Sequence, residues 1–119
     1  EKYYVTDHGF RQAQGFSNTK DIERTLENIV FVELASRGYE VKIGKLKDRE
    51  IDFIAQKNNR LSYYQVAYML SDEQTREREF GIYKTIEDNF PKYVLSLDRF
   101  DFSRDGIIHK NIIDFLLEH

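Results

Sequence analysis

The chain has 119 residues, 40% of them apolar and 14% aromatic, with eight tyrosines, nine phenylalanines, no tryptophan, no cysteine and a formal charge of -3. That length suits one domain with one core and excludes two, the apolar fraction excludes a disordered chain, and the missing cysteines exclude a disulfide framework or a thiolate zinc centre. A pI near 5.6 gives no global pull toward phosphate polymers or anionic membranes, and no run reaches the roughly 18 to 20 apolar residues of a membrane span.

The expectation is one cytoplasmic domain over residues 1–119, without a membrane. Because the chain begins at Glu1 directly on strand-like Lys2-Tyr3-Tyr4-Val5, it reads as a piece excised from something longer.

In chain order, residues 2 to 6 are β-prone and run into a turn at Asp7-His8-Gly9, followed by a short irregular or helical stretch from Phe10 to Phe16. Thr19 or Asp21 caps a helix in which Ile22, Leu26, Ile29, Val30, Val32 and Leu34 supply the apolar positions and Arg37-Gly38 the stop. Tyr39 to Leu46 alternates as a half-buried strand, and Lys47-Asp48-Arg49 reads as a hairpin turn. Glu50 to Gln56 forms a second strand with Ile51, Phe53 and Ala55 on one face and Glu50, Asp52 and Ile54 on the other. After a turn at Lys57-Asn58-Asn59-Arg60, Leu61 to Met69 forms a third, central strand with Tyr63, Gln65 and Ala67 on one face.

Ser71 or Asp72 opens a charged helical segment reaching toward Asn89, with Phe80, Tyr83 and Ile86 as its buried stripe, Gly81 as its weak point and Pro91 as a barrier. Lys92 to Leu97 is a fourth strand. Gly106 to His109 forms a small edge strand, and Asn111 to Glu118 a terminal helix with Ile112, Ile113, Phe115 and Leu116 turned inward. A helix, three strands in hairpin sequence, a helix and a strand make an α/β fold with a central mixed β-sheet flanked by helices, because the crossover through a helix returns the last strand parallel.

Strand parity brings candidate ligands together. Glu27 on the first helix, Glu50 and Asp52 on one strand face, and Gln65 on the next strand offer carboxylate and amide oxygens suited to a hard cation such as Mg²⁺, which polarises a phosphodiester and activates water. Lys42, Lys45 and Lys57 are nearby sources of a cation, although Lys57 has the wrong parity relative to Asp52 in a regular strand.

The runs Leu26-Glu27-Asn28, Arg49-Glu50-Ile51-Asp52-Phe53-Ile54, Tyr64-Gln65-Val66-Ala67-Tyr68, Glu77-Arg78-Glu79-Phe80-Gly81 and Pro91-Lys92-Tyr93-Val94-Leu95-Ser96 resemble the carboxy-terminal domain of unknown function that follows an AAA-type P-loop ATPase domain in bacterial and archaeal proteins. That domain is similar in fold to archaeal Holliday-junction resolvases and other PD-(D/E)XK nucleases, so the resemblance implies a restriction-endonuclease-like core. It also implies that Glu27 is the helix carboxylate, Asp52 the aspartate of the motif and Gln65 its second acidic position, with Ala67 where the lysine belongs. Two charged groups are thus missing from one strand face. Losing a charge-stabilising group of this kind typically costs about 10²- to 10³-fold in rate, and an amide in place of a carboxylate weakens the hold on Mg²⁺.

Plainer readings stand beside these. Glu27 pairs with Arg24 on a solvated helix, and Glu50 and Asp52 solubilise a strand end. A buried Gln65 needs a hydrogen-bond partner of any kind. His8 and His109 read as surface or turn histidines, Arg76-Glu77-Arg78-Glu79 as a solvated helix face with Asp72 paired to Arg76, and acidic neighbours at Asp98, Asp101 and Asp105 spoil Arg99 and Arg104 as a phosphate patch. No P-loop motif is present, so this piece does not bind ATP by that device.

The expectation is a nuclease-like accessory domain of an ATPase, catalytically silent, with Mg²⁺ held weakly if at all. Its partners would be the amino-terminal ATPase domain, DNA, or further copies of itself. The alternatives are a metal-dependent DNA endonuclease with a displaced cation, using Glu27, Glu50, Asp52 and Gln65, and a purely protein-interacting module.

Overall fold

The computed structural model describes residues 19–46 and 49–118. The expected amino-terminal strand, its turn and the Lys47-Asp48 part of the first hairpin turn lie outside them. The described elements run α1 (Thr19–Ser36), β1 (Glu40–Leu46), β2 (Arg49–Lys57), β3 (Arg60–Val66), α2 (Glu73–Gly81), a 3-10 turn (Ile82–Thr85), β4 (Lys92–Ser96), β5 (Ile108–Asn111) and α3 (Ile112–Leu117). The five strands form one mixed sheet in the order β1-β2-β3-β4-β5. β1, β2 and β3 pair antiparallel, whereas β4 joins β3 and β5 joins β4 in parallel, as expected for crossovers that cannot be hairpins. The fold is α/β with helices on both faces.

Local chemistry explains the turns. Gly38, at φ 93°, closes α1, with the Gly38 N–H bonded to the Ala35 carbonyl and the Tyr39 N–H to the Leu34 carbonyl, the paired bonds of a glycine helix stop. Asn58 and Asn59 both take positive φ and join β2 to β3 in a two-residue turn of the kind that matches strand twist. Asp72 caps α2 by accepting from the Thr75 N–H and hydroxyl. It does not pair with Arg76 as expected, because that guanidinium donates to the Leu70 and Ser71 carbonyls instead. α2 tightens into a 3-10 turn at Gly81 and ends by Thr85, well short of Asn89.

Two apolar layers sandwich the sheet. Leu26, Val30 and Leu34 of α1 recur every four residues and pack, with Ile112 and Phe115 of α3, on Phe53, Ala55, Tyr64, Val66 and Leu95. Phe80, Ile82 and Tyr83 pack with Leu70 and Ile107 on Ile51, Tyr63, Ala67 and Val94. Ile29, Val32 and Ile113, expected in the core, are exposed, because a helix buries a single stripe against a sheet.

Arg37 fastens the first layer. Its guanidinium donates to the Phe115 and Glu118 carbonyls at 2.6 and 3.1 Å and lies 4.4 Å from the centre of the Phe115 ring, while Nε contacts Glu33.

The second strand departs from the simple alternation. Lys42 pairs with Ile54 but Gly44 with Ile51, so β2 carries one extra residue in a bulge. That slip reverses parity within the strand: Ile51 and Ile54 face the α2 layer and Phe53 and Ala55 the α1 layer. Ile51, Phe53 and Ala55 therefore do not share a face. Gly44, paired with Ile51 next to the bulge, sits in a crowded place, since a Cβ there would lie 2.7 Å from Ile54 Cδ1 and 3.1 Å from Ile51 Cβ.

Candidate functional site

β2 and β3 pair from Phe53 and Tyr64 toward their shared turn, but at Asp52 the ladder stops. Side chains bridge the gap in both directions. The Asp52 N–H donates to Gln65 Oε1 and the Val66 N–H donates to Asp52 Oδ2, both at 2.8 Å. Each residue's side chain thereby replaces the backbone bond that the departing strand no longer supplies, as buried backbone groups require.

The same device continues beyond the end of β3. The chain bends at Tyr68, and two further amides find carboxylates: the Tyr68 N–H donates to Glu23 Oε2 at 3.2 Å and the Leu70 N–H to Asp98 Oδ2 at 2.7 Å. Asp52, Glu23 and Asp98 come from a strand, a helix and a loop, and all three serve the Val66 to Leu70 segment. Ala67, between them, is fully buried, and its N–H joins the Leu95 carbonyl across to β4.

On the α2 side, Gln65 Nε2 donates to Glu79 Oε1 at 2.8 Å, so one buried amide links β2, β3 and α2. Glu79 is buried, and its pKa is pushed up to about 8, first by desolvation and then by the negative charges of Asp52 and Glu23, with Arg78 and the Gln65 bond opposing. At neutral pH the carboxyl is mostly protonated. The Tyr83 phenol donates to the Tyr93 carbonyl at 2.8 Å, and burial together with Asp52 and Glu79 raises its pKa well above the ordinary value.

The sequence-expected ligands are placed as follows. Asp52 and Gln65 are joined. Glu27 is half-buried on α1, one helical turn after Glu23, and Glu50 is exposed where β2 pairs with Lys45 of β1. Among the described residues, no group of three or more histidine, aspartate or glutamate side chains is arranged to hold a metal ion.

The network contains three residues the motif reading passes over, Glu23, Glu79 and Asp98. Glu79 reads as part of a solvated run, but it lies beside Phe80 and four residues before Tyr83, on the buried side of the helix; that spacing was the available signal. His109 is likewise a correction, being buried in hydrogen bonds and not at the surface. Its partner Ser96 sits on β4, so the signal was not local.

The chain is 37% identical over 118 residues to an uncharacterized protein of Haemophilus influenzae, covering 98% of this chain and 29% of that protein. It is 38% identical over 92 residues to an uncharacterized protein of Methanocaldococcus jannaschii, covering 73% of this chain and 20% of that one. The chain thus spans less than a third of the length of these curated relatives. No family model matches it, and no solved structure matches it.

Proposed function

We propose that this chain is a nuclease-like accessory domain that binds without cutting, carried by a longer polypeptide with a P-loop ATPase. The order α1-β1-β2-β3-α2-β4, with β3 and β4 parallel, is compatible with a restriction-endonuclease-like core. The gap between β2 and β3 falls at the Asp52 and Gln65 positions that the sequence resemblance assigns to such a site. The ATPase rests on that resemblance, and the much longer relatives are compatible with it.

The observation that carries the silent reading is the bonding across the gap above a buried Ala67, with Gln65 Oε1 accepting from the Asp52 N–H and Asp52 Oδ2 accepting from the Val66 N–H. Gln65 spends both ends of its amide on structure, its oxygen on Asp52 N–H and its nitrogen on Glu79. Asp52 spends one oxygen on Val66 N–H. A hydrolytic site needs negative oxygens directed at a metal and a cation beside the attacked phosphate; here the amide is neutral and the lysine position is a sealed methyl.

The test is incubation of linear and branched DNA with the protein in Mg²⁺ or Mn²⁺. No turnover above background is expected, and turnover abolished by Asp52→Ala overturns the reading. A low-salt gel shift then separates the partners: log affinity falling linearly with log salt favours nucleic acid, and absence of a shift favours a protein partner.

One observation favours a second reading, a metal-dependent endonuclease. Glu79 stands beside Gln65 and supplies from α2 the carboxyl that β3 lacks. On that reading, cleavage rises as pH approaches 8 and Glu79 ionises, and Glu79→Gln abolishes it.

A further inference from the structure

Beneath the loop joining β4 to β5, His109 sits in a closed set of hydrogen bonds. It lies on β5 in parallel register with Val94, with 6% of its surface exposed. A backbone N–H can only donate, so the bond from Phe102 N–H to His109 Nδ1, at 3.1 Å, fixes the neutral tautomer with its proton on Nε2. Nε2–H then donates to Ser96 Oγ at 2.8 Å, and the serine hydroxyl donates onward to Asp98 Oδ2 at 2.7 Å while also accepting from the Asp98 N–H. The proton order runs opposite to that of a serine nucleophile with a histidine base, because the ring presents no lone pair to the serine.

Burial holds the His109 pKa below 6.5, while Asp98, Asp101 and the Phe100 backbone favour the charged ring. Other charged groups packed around the loop are Arg76 of α2, 5.0 Å from the centre of the Phe102 ring, and the exposed pair of Arg99 with Asp114 of α3.

We propose that His109 is a proton-operated latch on the loop between β4 and β5: the neutral ring holds the loop through Phe102 N–H, and a proton added at Nδ1 breaks that bond. The charged Nδ1–H turns instead toward the carboxylates and backbone of residues 98–101. The loop is also a clasp on α2. Phe102 lies under Arg76, and Arg104 bonds Glu77 at 3.0 Å and covers the Phe80 ring. Protonation therefore loosens the grip on the helix that presses Glu79 against Gln65. The sign is fixed by the depressed pKa: latch stability is complete above pH 6.5 and is lost as pH falls through the lower folded-state value. None of this depends on the nuclease-like reading, since the latch uses none of Glu27, Glu50, Asp52 and Gln65.

Site-resolved NMR of the whole chain between pH 7.5 and 5 tests it, separating His109 from His8 and His119. The ring nitrogens should report the Nε2–H tautomer at pH 7.5. As the ring titrates, the Phe102 amide, corrected for intrinsic exchange, should exchange at least about tenfold faster while Val94 and Leu95 hold. His109→Asn offers a carboxamide oxygen on Cγ, in the place of Nδ1, to Phe102 and cannot titrate, so its loop should stay protected throughout. An Nδ1–H tautomer at neutral pH, unchanged Phe102 protection through the ring titration, or loop opening in His109→Asn over the same pH range overturns the proposal. If that variant does not fold, the two wild-type readouts decide alone.

Discussion

Gln65 and Glu79 meet at 2.8 Å between the sheet and α2, the amide donating to a carboxyl that the protein keeps protonated at neutral pH. Because the folded-state pKa of Glu79, about 8, lies above its ordinary 4.5, the folded protein binds the extra proton between those values. The associated stability is complete below pH 4.5 and disappears as pH rises through 8, by at most about 1.4 kcal/mol per pH unit. Glu79→Gln should flatten that decline. Urea unfolding of both proteins at pH 6 and pH 9 checks it, with the variant gaining relative to wild type at the higher pH.

Asp52 supports the gap between β2 and β3. Asp52→Ala leaves the Val66 N–H without its acceptor and should cost about 1–3 kcal/mol, whereas Asp52→Asn keeps an oxygen in place and should cost less. Denaturant midpoints at constant slope rank the two.

Ala67→Lys, which puts a lysine at the position the nuclease resemblance would assign to one, should not confer nuclease activity. Ala67 is fully buried in the α2 layer, so the new chain must displace core atoms and bring an unpaired charge with it, at a cost on the order of 3–5 kcal/mol. The expected result is a large drop in Tm with no metal-dependent cleavage.

Gly44→Ala tests the bulge. Its Cβ meets the flexible tip of Ile54, which can move, and Ile51 Cβ, which sits on the backbone. A loss of about 1–3 kcal/mol is expected from the overpacking, and Ile54→Val in the same chain, which removes the nearest methyl, should recover part of it.

The elements that sequence made legible are those whose cause is local. Gly38 ends α1, the Asn58-Asn59 pair turns β2 into β3, and a helix between β3 and β4 forces a parallel return. The alternation in β2 misled because the bulge sets Asp52 and Phe53 against the single residue Ile43 of another strand, and a single slip exchanges faces for everything beyond it. The pairing of Asp52 with Gln65 was foreseeable from neighbouring strands, but its content was not: side chains bonded to backbone amides across the gap look identical, in sequence, to side chains aimed at a cation. Glu23, Glu79 and His109 were hidden for one reason, that a polar residue is buried only when a distant partner satisfies it.

The grip of Arg37 on the last turn of α3 has a consequence for how the molecule comes apart. A six-residue helix has too few internal bonds to persist by itself, and its final carbonyls are held by a guanidinium rooted at the end of α1. Fraying of the tail and melting of α1 thus become a single cooperative event, and the two helices should lose amide protection at the same free energy, not in succession.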